Sequence, residues 1–144
     1  MNRYIVLFIA LWVLAVPSLS QEQGSIEVLV SGAKPSHGQA VLSLFNSSDN
    51  YLNEPIVSAH ENIDANGKTV FRLSGLSNGD YAISVFYDED ENGKLNTGFL
   101  GIPTEFVGFS NNAKGSFGPP SYDQVKFKFT GSTKISINLG AVDE

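Results

Sequence analysis

The chain has 144 residues and no cysteine. That removes disulfides, iron–sulfur clusters and thiolate metal sites from consideration. Histidine is almost as scarce. His37 sits in a Gly/Pro loop and His60 in a weak strand pattern, too few imidazoles for a zinc or copper centre. No G-x-S-x-G elbow occurs, and neither histidine has a setting that suggests a catalytic base. Nine bases stand against fifteen acids, a formal net charge of −6. The bases are scattered singly, which excludes the clustered Lys/Arg surface that nucleic-acid binding needs. No segment keeps a 3.6-residue apolar period, so neither a helical bundle nor a basic membrane-surface helix is expected.

Long apolar runs are also lacking, with one exception at the start. Met1-Asn2-Arg3 is a short basic beginning, residues 4–16 are uninterruptedly apolar, and Pro17-Ser18-Leu19-Ser20 offers small residues before Gln21. This is the three-part pattern of a secretory signal peptide, and the run is too short to span a bilayer comfortably. The expectation is a signal peptide over residues 1–20 and a single exported domain over residues 21–144, periplasmic or secreted. No membrane insertion is expected after cleavage. Removing Arg3 leaves eight bases against fifteen acids, and removing Trp12 leaves no tryptophan. An exported domain without cysteine must rest on its apolar core, and about 120 residues can bury roughly two-thirds of the unfolded surface.

Within residues 21–144 the apolar residues alternate. Ile26, Val28 and Val30 form one face, as do Thr69, Phe71 and Leu73. Tyr81, Ile83, Val85 and Tyr87 form another, followed by Val125, Phe127 and Phe129, then Ile135, Ile137 and Leu139. Residues 40–45 are denser, like a strand covered on both sides, and residues 56–63 are a weaker strand. Period-two alternation in β-branched and aromatic residues marks half-buried strands. Asn66-Gly67, Asn78-Gly79 and Gly131-Ser132 are turn signals between them. About seven short strands predict an all-β fold, a single antiparallel β-sandwich of immunoglobulin-like or transthyretin-like kind. The phrase Gly75-Leu76-Ser77-Asn78-Gly79-Asp80-Tyr81 resembles the Gly-Leu-x-x-Gly-x-Tyr pattern of transthyretin-like sandwich domains, which implies a tight corner before a core tyrosine. Residues 96–122 carry glycines, prolines and five phenylalanine or valine residues. That mixture predicts an ordered, compact loop with one short strand near residues 104–109, and Gly118-Pro119-Pro120 could hold a cis peptide.

One segment concentrates charge: Tyr87-Asp88-Glu89-Asp90-Glu91-Asn92-Gly93-Lys94-Leu95-Asn96. Together with Gly101-Ile102-Pro103-Thr104-Glu105, GFSNN at residues 108–112, GSFGPPSY at residues 115–122 and KFKF at residues 126–129, it resembles an exported bacterial family known as domain of unknown function 2141. The resemblance covers essentially the whole exported chain and is strongest over residues 79–129. It implies export from a Gram-negative bacterium and one small β-domain. It supplies no catalytic residues. The family pattern often has Asp where Asn96 stands, so one charged ligand is here a neutral amide.

Two readings of the acidic segment remain open. Asn92-Gly93 after an apolar strand is a type I′ hairpin signal with solvated acids around it, and this is the favoured reading. Alternatively, Asp88, Asp90 and Asn92 stand at the first, third and fifth positions of a calcium loop. Gly93 would make the sharp turn, Lys94 would offer its backbone carbonyl and Asn96 a ninth-position ligand. The twelfth position is Phe99 where a bidentate glutamate belongs, so Glu105 would have to complete the shell. Magnesium fits less well, because it retains its waters.

No catalytic residue and no certain cofactor are expected, with calcium the one candidate. The expectation is a non-catalytic binding or structural module for an unknown protein or small-molecule partner. Its recognition end would be built from loops over residues 88–122, with Asn111, Asn112 and Tyr122 on the loop surface. The alternative is a small exported hydrolase using the loop carboxylates, with or without a metal.

Overall fold

The computed structural model describes residues 23–142, and the predicted signal segment lies outside the described residues. Alternation along the strands decides which faces meet. In β1 (Gly24–Ser31) the side chains of Ile26, Val28 and Val30 are fully buried, while Glu27 and Leu29 face outward. β2 (Gln39–Phe45) buries Ala40, Leu42 and Leu44, and β4 (Lys68–Leu76) buries Thr69, Phe71 and Leu73. β5 (Gly79–Asp88) contributes Tyr81, Ile83, Val85 and Tyr87 to the same core. Each such side chain adds about 1.5–3 kcal/mol on leaving water, which is how a domain without cysteine holds together. β3 (Val57–Asn62) is an edge strand with no fully buried residue, which explains its weak sequence pattern.

Two sheets form the sandwich. The smaller has the order β4-β1-β8, with β8 spanning Ser132–Asn138, and the larger has the order β3-β2-β5-β6, with β6 spanning Val107–Phe109. β7 (Phe127–Phe129) pairs with the start of β5. Eight strands among the described residues, against about seven expected, build this all-β sandwich. The pairing of β1 with β8 is parallel, although every other pairing of strands is antiparallel. Gly131-Ser132 joins the last two strands as expected, and does so as a crossover from one sheet to the other. Gly131 makes that possible at φ 85, accepting from the Ser25 amide (3.1 Å) and donating to Asn78 Oδ1 (2.9 Å). The tyrosine corner is present, with Tyr81 donating its hydroxyl to the Ser77 carbonyl at 2.8 Å.

A second, smaller cluster covers the outer face of the larger sheet. Phe45 and Ala82 point away from the main core and pack with Val125, under Tyr51, Phe109, Ala113 and Tyr122. The four-residue helix α1 (Tyr122–Val125) delivers Val125, and Gln124 Oε1 accepts the Ser121 amide at 2.8 Å to cap it. The peptides of the Gly118-Pro119-Pro120 run are trans. No helix among the described residues is long and apolar enough to cross a membrane.

Candidate functional site

β5 ends at Asp88, and the chain does not turn back as a two-residue hairpin there. The next strand to pair with β5 is β6, beginning at Val107. Asn92 lacks the positive φ that a type I′ turn at Asn92-Gly93 would require, whereas Glu91 (φ 55) and Gly93 (φ 77) have it. The hairpin reading is thus corrected, and the cause is the Asp88 carboxylate. Its Oδ1 accepts the Asn92 amide at 3.0 Å, and its Oδ2 accepts the Gly93 amide at 2.8 Å. The loop curls around this fully buried side chain, which Gln39 Nε2 also meets at 2.8 Å.

Successive residues repeat the motif. Asp90 Oδ1 accepts from the Asn92 amide (3.4 Å), and Asn92 Oδ1 accepts from the Lys94 amide (2.8 Å). Asn92 Nδ2 donates to Asp90 Oδ2 and to Asn96 Oδ1, both at 2.8 Å. Asn96 Nδ2 reaches Asp90 Oδ2 at 3.0 Å. These amides, Asn96 first and then Asn92, hold the Asp90 carboxyl below its ordinary range.

Glu105 arrives from the far side of a small hairpin. Its base closes where Thr104 donates to the Asn96 carbonyl (2.9 Å) and Thr97 bridges Pro103. Glu105 is itself buried, accepting the Glu89 amide on Oε1 (3.0 Å) and the Asn96 amide on Oε2 (2.9 Å). One carboxylate oxygen each of Asp88, Asp90 and Glu105 lies within 4.8 Å of the other two. Of the predicted ligands, these three converge directly, Asn92 and Asn96 are woven into the same network, and Lys94 joins through its backbone. Glu89 turns away to an ion pair with Lys34, and His37 Nε2 stands 3.7 Å from the same carboxylate. Among the described residues, no ion pair reaches Asp88, Asp90 or Glu105.

The hairpin tip is apolar and exposed. Phe99 and Leu100 are 86% and 81% exposed, and Leu100 is held at φ 59. An open groove of about 300 Å³ lies beside it, lined by Gly98, Phe99, Ile102, Pro103, Thr104 and Val142. No local sequence signal marks Gln39 or Thr104 as part of this site. Gln39 comes from another strand, and only the β2–β5 register sets it opposite Asp88.

The rest of the expected recognition end lies elsewhere. The β2–β5 register pairs Gln39 with Asp88 at one end and Phe45 with Ala82 six residues away, about 20 Å along the strand. Tyr122 belongs to that second region, edge-on to Tyr51 at 5.8 Å between ring centroids. Asn111 Nδ2 donates to the carbonyls of Gln124 (3.1 Å) and Lys126 (3.0 Å). Asn112 donates to the Ser136 carbonyl (3.2 Å) and accepts from the Asn138 amide (2.9 Å), occupying the free edge of β8. Residues 88–122 therefore do not make one recognition end. β6 runs the chain back along β5 and separates residues 88–106 from residues 110–125.

The GFSNN string has an architectural explanation. A Cβ on Gly108 would stand 2.6 Å from Ile137 Cγ2. Ser110, fully buried, accepts from the Ile83 amide (2.9 Å) and donates to the Val125 carbonyl (2.6 Å). Residues 28–137, from β1 to β8 and including both the acidic loop and this string, match the family described as uncharacterized protein conserved in bacteria, DUF2141. The chain belongs to this family. No curated protein and no solved structure matches the chain. For this DUF2141 member, the most distinctive strings divide into two groups. One, residues 108–112, joins the two sheets, and the other, residues 88–105, gathers carboxylates.

Proposed function

We propose that the protein is an exported, non-catalytic binding module of the periplasm or extracellular space, with a loop end shaped by a bound calcium ion. The observation that carries this reading is the approach of three carboxylates to within 4.8 Å, two of them buried, with no ion pair to any of them among the described residues. Like charges this close repel strongly unless a proton or a cation intervenes. The Asn96 and Asn92 amides that donate to Asp90 favour its carboxylate form, the form that can ligate a cation. Calcium suits the geometry because it accepts irregular shells of carboxylate, amide and carbonyl oxygens. Lys94 would contribute its carbonyl, and Asn96 would exchange its bond from Asn92 for the ion.

The consequence for binding is mechanical. Glu105 ties the 97–103 hairpin to the acidic loop through the Glu89 and Asn96 amides. An ion that fixes Glu105 therefore fixes the presentation of Phe99 and Leu100. Apolar side chains held out on an ordered tip favour contact with a partner surface. Exposed loops on a rigid β-scaffold commonly carry such contacts.

Calorimetric titration tests the reading on the protein recovered from an exporting cell, where intact mass is expected to show Gln21 as the first residue. Calcium should bind with one-to-one stoichiometry at an affinity on the order of 10⁻⁴ M, as in extracellular modules. Asp90→Ala should abolish the binding heat while leaving the far-ultraviolet spectrum unchanged, because Asp90 is exposed. Wild-type heat retained in Asp90→Ala would contradict the assignment.

A further inference from the structure

Three Asn-Gly pairs occur in the described chain: Asn66-Gly67, Asn78-Gly79 and Asn92-Gly93. Asparagine is chemically labile, and most so before glycine, where no Cβ hinders the next amide nitrogen. In the reaction the Gly nitrogen loses its proton and attacks the Asn Cγ. The Nδ2 group leaves as ammonia and a five-membered succinimide remains. Water then opens either carbonyl, giving aspartate or isoaspartate and a new negative charge. The carboxamide must rotate towards the following nitrogen, and that nitrogen must be free to attack.

The three pairs are held very differently. The Asn66 carboxamide makes no hydrogen bond among the described residues; only the backbone amide is engaged, with Asp64 Oδ1 at 2.8 Å. Asn78 is tied once, its Oδ1 accepting from Gly131 at 2.9 Å. Asn92 is tied at every polar atom of the side chain. Its Nδ2 meets Asp90 and Asn96, and its Oδ1 meets the Lys94 amide, each at 2.8 Å. The attacking group is held as well, since the Gly93 amide donates to Asp88 Oδ2 at 2.8 Å. The Gly67 amide, by comparison, has a single carbonyl partner, Asp64 at 3.1 Å.

We propose that Asn92 is a latent deamidation site, closed while its loop is folded around Asp88, and that Asn66 is the site that deamidates in the folded protein. Opening the acidic loop releases Asn92. The product carboxylate would then face Asp90 Oδ2 and Asn96 Oδ1, where Nδ2 now donates. Modification therefore sets a fourth carboxylate against the cluster and hinders reclosure unless a cation is present. The protection rests on hydrogen bonds alone; under the reading above, calcium would replace the Asn96 bond to Asn92 and instead hold the loop closed through Asp88, Asp90 and Glu105.

Peptide mapping by mass spectrometry tests this on the exported protein aged at mildly alkaline pH, folded with calcium, folded with chelator, and unfolded in urea. In the folded protein, Asn92 should convert at least about tenfold more slowly than Asn66, as expected from giving up several hydrogen bonds before reaction. Urea should bring the two rates together. Asn96→Ala, which removes one Nδ2 partner, should accelerate Asn92 and leave Asn66 unchanged. Equal rates in the folded protein, or a rate ratio that survives urea, would overturn the proposal. A chelator arm that matches the calcium arm would count against the calcium reading alone, because protection relative to urea would still stand.

Discussion

At the scale of single residues, Ser110 carries more of the architecture than its chemistry suggests. One hydroxyl satisfies an amide on β5 and a carbonyl at the end of α1, both inside the protein. Ser110→Ala leaves both unpaired, and each buried orphan costs about 1–3 kcal/mol. We expect a loss of about 3 kcal/mol, read as a lower urea midpoint with an unchanged slope. A loss below 1 kcal/mol would mean that water replaces the hydroxyl. The sequence displays the GFSNN string clearly, yet nothing local reveals its purpose. The partners of Ser110 are 27 and 15 positions away, and those of Asn112 lie on β8. Only the folded edge of the sheets brings them together. Asn111 and Asn112 read in the sequence as loop surface with backbone-directed amides; both are exposed, and their amides close the side of the sandwich on backbone groups.

At the scale of elements, inward-facing alternation was legible and strand partnership was not. Ile26, Val28 and Val30, or Tyr81 to Tyr87 in steps of two, declare their buried face by period alone. Which strand β8 joins depends on the crossover at Gly131, and a Gly-Ser pair looks the same in a hairpin. The acidic loop was half legible. The spacing of Asp88, Asp90 and Asn92 was visible, whereas the curl around Asp88 needed the buried end of β5. The loop at residues 113–121 offers a separate test. Tyr51 anchors it, donating to the Pro120 carbonyl at 3.0 Å and packing edge-on against Phe45 and Tyr122. Burial pushes the Tyr51 phenol from an ordinary 10.0 up to about 12. With the folded value raised, the unfolded chain loses this proton first as pH rises. Stability should hold below pH 10 and fall between 10 and about 12. Tyr51→Phe, measured by urea unfolding across that range, should be less stable at neutral pH and show a shallower alkaline decline. An identical decline would assign the effect to the raised phenols of Tyr87 and Tyr122.

At the scale of the whole molecule, the sandwich is a scaffold that holds two regions about 20 Å apart along β5. One is an aromatic cluster around Phe45, Tyr51 and Val125, and the other is the carboxylate loop with its apolar tip. In the first, the Tyr51 hydroxyl is met by the Pro120 carbonyl. The second gathers like charge that a cation would relieve, and calcium binding there would add to the stability of the whole domain. A ligand at one hundred times its dissociation constant stabilises the native state by about 2.7 kcal/mol. For a domain of about 120 residues this raises the midpoint by on the order of 10 °C. The decisive measurement is thermal unfolding of the protein in millimolar calcium and in chelator. A midpoint higher in calcium, with the difference lost in Asp90→Ala, is the expected result. An unchanged midpoint in wild-type protein at millimolar calcium would contradict the calcium site.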